Sequence, residues 1–232
     1  MPTTEEFKKL YEKYGREKVE QAVAYLSYKE AKPLPKNEDP DKPVLYVFRH
    51  GQTEDNANFI FSGWRDSDLT PKGIEQALIL APKLKDKKIA MLFASDQIRS
   101  IKTMKLAVSE NEFAKTLEIN KDPRIKERCY GSLQGESKLI MQLENPKQLL
   151  EYRRSYTKAP PEGESLETVI KRVYEFIEDL IPQMKKYKIN VAVSCHGNSI
   201  RGFRKYFEHL TDTQTAEIET PLAQDYATYT IK

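Results

Sequence analysis

Two short apolar runs, each closed by a histidine and a glycine, constrain this chain most. Val44-Leu45-Tyr46-Val47-Phe48 leads into Arg49-His50-Gly51-Gln52-Thr53. Val191-Ala192-Val193-Ser194-Cys195 leads into His196-Gly197-Asn198-Ser199-Ile200-Arg201. Continuous apolar runs of this length read as buried strands. The chain has three histidines, and two of them stand where such a strand stops. A fold is needed that gathers the ends of distant strands in one place.

The rest of the chain from Val44 onward meets that need. Further strands are expected at Met91–Ser95, Leu117–Asn120 and Tyr226–Ile231. Helices are expected from Pro71 to about Lys85, with Thr70 as N-cap and Pro71 at the first position, from Gln97 to Ser109, and from Glu164 to about Lys186 with a disturbance at Pro182. A short helix is expected after Asn198. Alternating strands and helices predict a three-layer α/β/α sandwich with a mostly parallel sheet, in which sites gather at the carboxyl ends of the strands. Both histidine clusters lie at such ends.

Residues 1–43 are a separate matter. Thr4 to about Glu30 carries two apolar stripes, Phe7, Leu10, Tyr11 and Tyr14, then Val19, Ala22, Val23 and Leu26, with Gly15 between them. That spacing is helical. Ala31 to Pro43 holds four prolines among charged residues and reads as an extended linker. The chain thus divides into a helical extension with its linker, 1–43, and a catalytic domain, 44–232. The apolar stripes need a buried face, on the main domain or on a neighbouring chain, so monomer and homo-oligomer both stay open. A length of 232 residues at 39% hydrophobic content suits one domain plus an appendage. With no signal-peptide pattern near Met1 and no apolar run of transmembrane length, the expectation is a soluble cytoplasmic protein without membrane contact. Two distant cysteines, Cys129 and Cys195, make neither a disulfide framework nor a zinc cluster, and no metal-ligand set is recognisable. A net charge of +3 without a basic stripe excludes nucleic acid as a partner.

The residues at the strand ends suit a phosphoryl group. A histidine with an ordinary pKa of about 6.5 offers a neutral, nucleophilic imidazole near pH 7. Arg49 beside His50 can hold a phosphate oxygen pair; Gly51 allows close backbone approach, and Thr53 and Asn56 add neutral donors. His196 stands at a helix start, where backbone N–H groups suit an anion. Arg99 lies in a first helical turn, against the helix dipole, which suggests another use. Glu127 is a carboxyl group among cations, suited to general acid and base work or to an ordinary loop ion pair. His209 has no supporting context and reads as structural.

The order of these residues resembles a known family. Arg49-His50-Gly51, Gly63-Trp64-Arg65-Asp66, Ser95-Asp96 with Arg99, Glu127, Gly163-Glu164-Ser165 and His196-Gly197 are similar to the histidine phosphatase superfamily. Within it, three segments resemble the 2,3-bisphosphoglycerate-dependent phosphoglycerate mutases: Glu127 to Gly135 with Lys138, Tyr152-Arg153-Arg154-Ser155-Tyr156, and His196 to Gly202. The resemblance covers about Val44 to Lys232. It implies interconversion of 2- and 3-phosphoglycerate, in glycolysis and gluconeogenesis, through a phosphohistidine on His50 and a bisphosphate intermediate. It implies 2,3-bisphosphoglycerate as the priming cofactor and no metal. Glu127 would move the proton at the substrate hydroxyl, and Arg49, Arg99 and His196 would surround the phosphoryl group in flight. Gly51, Gln52, Thr53, Asn56, Ser62, Gly63, Arg128, Tyr130, Lys138, Arg153, Arg154, Gly197 and Asn198 would bind the rest of the substrate.

Departures from the mutase pattern are also visible. Gln52 and Thr53 replace the usual Glu and Ser, which leans toward the phosphatases. Leu222-Ala223-Gln224 stands roughly where mutases carry Pro-Thr-Gly. The chain ends at Lys232, just after the last strand, so the family's site-closing tail is short or absent; an open site admits water to the phosphohistidine. The stretch from Arg154 to Gly163 is short, as in compact mutases. A phosphomonoesterase on the same scaffold and a non-catalytic phosphometabolite-binding scaffold are the alternatives.

Overall fold

Strand β1 (Val44–Arg49) is buried along its whole length, and its side chains divide by alternation. Leu45 and Val47 join one apolar cluster, Val44, Tyr46 and Phe48 another. The two clusters are the two cores of a three-layer α/β/α sandwich, one on each face of the sheet. The computed structural model describes residues 4–27 and 33–232. Helices α1 (Thr4–Tyr14) and α2 (Arg16–Leu26) precede β1; α3 (Glu54–Ala57), α4 (Pro71–Leu78) and α5 (Leu80–Leu84) follow it. Then come β2 (Ile89–Ala94), α6 (Ile98–Ala107), β3 (Ile119–Lys121), α7 (Lys138–Glu144), α8 (Pro146–Arg154) and α9 (Leu166–Tyr187). The chain closes with β4 (Asn190–Cys195), α10 (Gly197–Glu208), α11 (Asp212–Glu217) and β5 (Ala227–Thr230).

The strand order is β3-β2-β4-β1-β5. All pairs are parallel except β5, which runs antiparallel to β1. Helices α9 and α10 cover the face that holds Leu45 and Val47, through Val173, Phe176, Ile177 and Phe203. Helices α4, α5 and α6 cover the other, through Ala77, Leu80, Leu84 and Met104. Among the described residues no helix is long and apolar enough to cross a membrane.

Local sequence explains where the expected helices change. The helix expected over 71–85 is divided at Ile79. Pro82 has no N–H to give the Leu78 carbonyl four residues earlier, so the first segment ends there. Pro182 does not divide α9, which runs 22 residues through it; burial of Ile177, Leu180 and Met184 on either side outweighs one lost hydrogen bond. The helix after His196 is not short but 12 residues long.

The two apolar stripes of the N-terminal segment face one surface of the same chain. Val19, Ala22 and Leu26 are buried with Phe61, Leu139, Leu143 and Leu149, and Phe7, Leu10, Tyr11 and Tyr14 pack against the same cluster. Gly15, at φ +83°, makes the turn between the two helices, a conformation glycine adopts without strain. The end of the expected helical stretch and the start of the expected linker, residues 28–32, lie outside the described residues. The remainder of that linker runs along β5: the Asn37 N–H donates to the Thr228 carbonyl at 3.2 Å, and the Thr228 N–H to the Pro35 carbonyl at 2.9 Å. Val19 has no exposed surface, so a charge there has no partner. Val19→Asp is expected to cost about 2–4 kcal/mol of docking energy, read as faster amide exchange over residues 4–27 while exchange in β1 and β4 is unchanged.

Candidate active site

The register of the sheet makes the site. Strand β1 pairs with β4 so that Arg49 lies beside Cys195, and each strand is followed by its histidine. The His50 and His196 rings are therefore neighbours, with centroids 5.0 Å apart. Strand β2 pairs with β4 on the other side, Ala94 beside Ser194. The next residue, Ser95, places its Oγ 2.7 Å from His196 Nε2.

The surroundings of His50 fix its tautomer and its charge. Its Nδ1 lies 2.7 Å from the Gly51 carbonyl, an acceptor only, so Nδ1 carries the proton and Nε2 keeps its lone pair. Burial, then Arg99 and Arg49, hold its pKa well below the ordinary histidine value, so the ring is neutral at pH 7. Burial, then Arg99 and His50, act on His196 in the same sense. His196 Nδ1 is buried without a protein partner. With the Ser95 hydroxyl donating to Nε2, the ring proton sits on Nδ1.

Arg99 is 1% exposed. Its Nη1 donates to the Arg65 carbonyl and its Nη2 to the Gly63 carbonyl, both at 2.8 Å. These bonds to the 63–65 turn account for an arginine in a first helical turn. Arg49 Nη1 donates to the Thr220 carbonyl at 3.0 Å. Glu127 Oε1 accepts from the Arg128 N–H at 2.8 Å, the Asn198 side-chain amide at 2.7 Å and the Asn198 N–H at 3.3 Å. Burial works to raise the Glu127 carboxyl, but Arg49, the Arg128 N–H and Asn198 outweigh it and hold the group below its usual value. Glu127 is thus ionised at neutral pH, and its hydrogen-bond donors are backbone and amide N–H groups, not the cation of a loop ion pair.

Arg49, His50, Arg99 and Glu127 line one cavity with Asn56, Ser62, Gly63, Tyr130, Lys138, Arg153, Arg154, Gly197 and Asn198, while His196, fully buried, stands behind its wall against the His50 ring. Helices α7 and α8 deliver the second group of cations. Lys138 is the first residue of α7, and Arg153 and Arg154 end α8, where they also complement its dipole. Lys138 Nζ donates to the Ile60 carbonyl at 2.7 Å. Burial, then Arg153 and Arg49, push Lys138 down to about 7, and an anion in the cavity favours its charged form. Ser62 Oγ and Arg99 Nε are buried with no protein partner, two more donors for an anionic ligand.

Four expected binding residues stand behind the cavity wall. Gly51 packs on α4: a Cβ there would meet the Gly73 carbonyl oxygen at 2.2 Å, so its close approach is to protein backbone. The Gln52 side chain accepts from the Thr70 hydroxyl at 3.0 Å, and its N–H donates to the Gln76 side chain. Thr53 caps α3 in a reciprocal box with Asn56. Arg128 is fully buried, donating to the Tyr130 hydroxyl at 3.1 Å and to the Tyr152 carbonyl. It outweighs burial to hold the Tyr130 hydroxyl below its ordinary pKa. Arg201, Glu219 and Thr220 line the cavity without having been expected to. Arg201 stands three residues after Asn198 on the same helix face, a signal available in the sequence. Glu219 and Thr220 carry no local signal.

Known proteins share this sequence pattern and this fold. Residues 45–230 match the model of the histidine phosphatase superfamily (branch 1). A 2,3-bisphosphoglycerate-dependent phosphoglycerate mutase of Cytophaga hutchinsonii is 34% identical over 178 residues, 76% of this chain and 83% of that protein. The enzyme of that name from Methanococcus vannielii is 30% identical over 202 residues, 76% and 86% of the two chains. Among solved structures, a mycobacterial glucosyl-3-phosphoglycerate phosphatase superposes with a TM-score of 0.71 at 23% identity, covering 80% of this chain and 92% of that one. A phosphoglycerate mutase from Bacillus anthracis gives 0.62 at 24%, covering 82% and 94%. The paired strand-end histidines and the family match over nearly the whole domain lead to one conclusion: this chain belongs to the histidine phosphatase superfamily.

Proposed function

We propose that the chain is a phosphoglycerate mutase that interconverts 2- and 3-phosphoglycerate through a phosphohistidine on His50. One observation carries the reading. A second group of cations, Lys138, Arg153 and Arg154, lines the same cavity as His50 but is supplied by α7 and α8. A phosphomonoester needs one anion site; phosphoglycerate, with a phosphate and a carboxylate, needs two. The names of the curated relatives support the same substrate. Gln52 and Thr53, which lean toward the phosphatases, point into α4 and α3 and leave the cavity wall unaltered.

The chain's own residues account for the transfer. His50 Nε2 carries the phosphoryl group, and Arg49, Arg99 and the His196 ring surround its oxygens, as a loose transition state requires. The substrate hydroxyl oxygen bonds to phosphorus as the N–P bond breaks; the electron pair returns to Nε2 and the hydroxyl proton goes to Glu127. Transfer of the other phosphoryl group back to Nε2, with Glu127 returning the proton, completes the exchange. The two cation groups and the partnerless donors of Ser62 and Arg99 suit 2,3-bisphosphoglycerate, which when bound supplies the phosphoryl group that primes His50.

A paired assay on one preparation tests the reading. Primed with the bisphosphate, the protein is expected to interconvert the phosphoglycerates faster than it releases phosphate from them. Phosphate release far above interconversion supports the phosphomonoesterase instead. The variant Arg153→Ala separates the two cation groups. It is expected to raise KM for phosphoglycerate about ten-fold or more, the loss of one charge-assisted contact, and to leave phosphoenzyme formation from an aryl phosphate within about three-fold. Equal losses with both donors count against the division of the cavity into two sites.

A further inference from the structure

Residues 216–220, the end of α11 and the start of the segment that leads to β5, are held in place by arginines of the cavity. Arg49 Nη1 reaches the Thr220 carbonyl at 3.0 Å, Arg201 Nε the Ile218 carbonyl at 3.2 Å, and Arg154 Nη1 the Ala216 carbonyl at 3.5 Å. Arg154 Nη2 is also paired with the Glu219 carboxylate. Glu219 lines the cavity with them. An acidic side chain on the wall of an anion site works against the ligand, so its presence needs a reason.

The surrounding charge supplies one. Burial, then Arg154 and Arg128, push the Arg201 guanidinium down to about 9, and Glu219 acts in the opposite direction. Glu219 is therefore a counter-ion for a crowded group of arginines, not for Arg154 alone. Its side chain is 51% exposed, against 21% for Arg154. Half-exposed ion pairs of this kind are weak and exchange readily. A ligand carboxylate or second phosphate arriving at Arg154 forms the same class of bond that Glu219 gives up, and the released carboxylate moves out into water.

We propose that Glu219 is a specificity-determining residue, an internal carboxylate that holds Arg154 and yields it to ligands bearing a second anionic group beside the transferable phosphate. A ligand with one phosphate and no second anion leaves the Arg154–Glu219 pair in place. The inference rests on the phosphoglycerate reading for its choice of ligand, but it concerns binding, not turnover.

The test compares two ligands that differ by a carboxylate, 3-phosphoglycerate and glycerol 3-phosphate. Binding to the full chain is measured by calorimetry at one ionic strength, since screening alters such differences. Glu219→Gln keeps the size of the side chain and an acceptor for Arg154. It is expected to tighten 3-phosphoglycerate about five-fold, the effect of one like charge removed near a partly exposed site, and to change glycerol 3-phosphate by less than about two-fold. Unchanged or weaker binding of 3-phosphoglycerate overturns the proposal; so does an equal change for both ligands. A Glu219 that only braces the wall gives the weaker outcome for both. A native protein that interconverts no phosphoglycerate while showing the selective tightening in Glu219→Gln removes the mutase reading and leaves this one standing.

Discussion

His50→Ala is expected to abolish the phosphoenzyme and to lower turnover by on the order of 10⁴-fold or more, the usual scale for losing a covalent nucleophile. The expectation follows from the tautomer. The Gly51 carbonyl accepts a hydrogen bond from Nδ1–H, and burial beside Arg99 and Arg49 keeps the ring neutral. Nε2 is thus a lone pair directed by its surroundings, which alanine cannot replace. The nearby His196 does not substitute, because Ser95 lies 2.7 Å from its Nε2. Intact mass after brief exposure to 2,3-bisphosphoglycerate checks this: the native chain gains one phosphoryl group and the variant gains none. A phosphoryl group recovered on His196 in either chain would exchange the two roles.

Glu127→Gln is expected to lower mutase turnover by about 10²–10⁴-fold, the range for a positioned general base. Glutamine keeps an oxygen for the Arg128 and Asn198 donors, so the wall around it persists and the loss falls on proton transfer. Phosphoenzyme formation from p-nitrophenyl phosphate is expected to survive within about ten-fold, because that leaving group needs little protonation. The native carboxyl is held below its usual value, so it stays ionised as the pH falls toward 5, and the basic form is lost only as the pH drops through that lowered value. The fall in kcat on the acid side is accordingly expected below the ordinary range for a glutamate, and the variant lacks it. Equal losses with alcohol and aryl donors would count against Glu127 as the proton carrier.

How much of this was readable beforehand differs from element to element. Strands β1 and β4 were readable almost to the residue, because burial on both faces leaves an unbroken apolar run. Strand β2 begins two residues earlier than its apolar run suggests, at Ile89; its outward residue Ala90 carries no signal. Helices α7 and α8 were not expected, although Lys138, Arg153 and Arg154 on them were. Each is short, seven and nine residues, and Asn145, the C-cap of the first and the N-cap of the second, separates them, so neither builds a long period. Gly51 shows the opposite error. Its lack of a side chain was readable, but its neighbour was not, since Gly73 comes from a distant helix. Arg99 was suspect on the helix dipole alone, and the 63–65 turn it holds explains why. Glu219 and Thr220 lie in a segment without period or cap, and only the arginines that grip it assign it to the site.

The register between β1 and β4 ties catalysis to the core. Slipping one strand by a single residue would move its histidine about 3.3 Å along the sheet and reverse the faces of its side chains. Leu45 and Val47 would then turn away from α9, and His50 would leave the neighbourhood of His196. The apolar residues that choose the register therefore act as a ruler for the two imidazoles. Mutations that loosen that ruler should show in the rate before they show in the melting temperature.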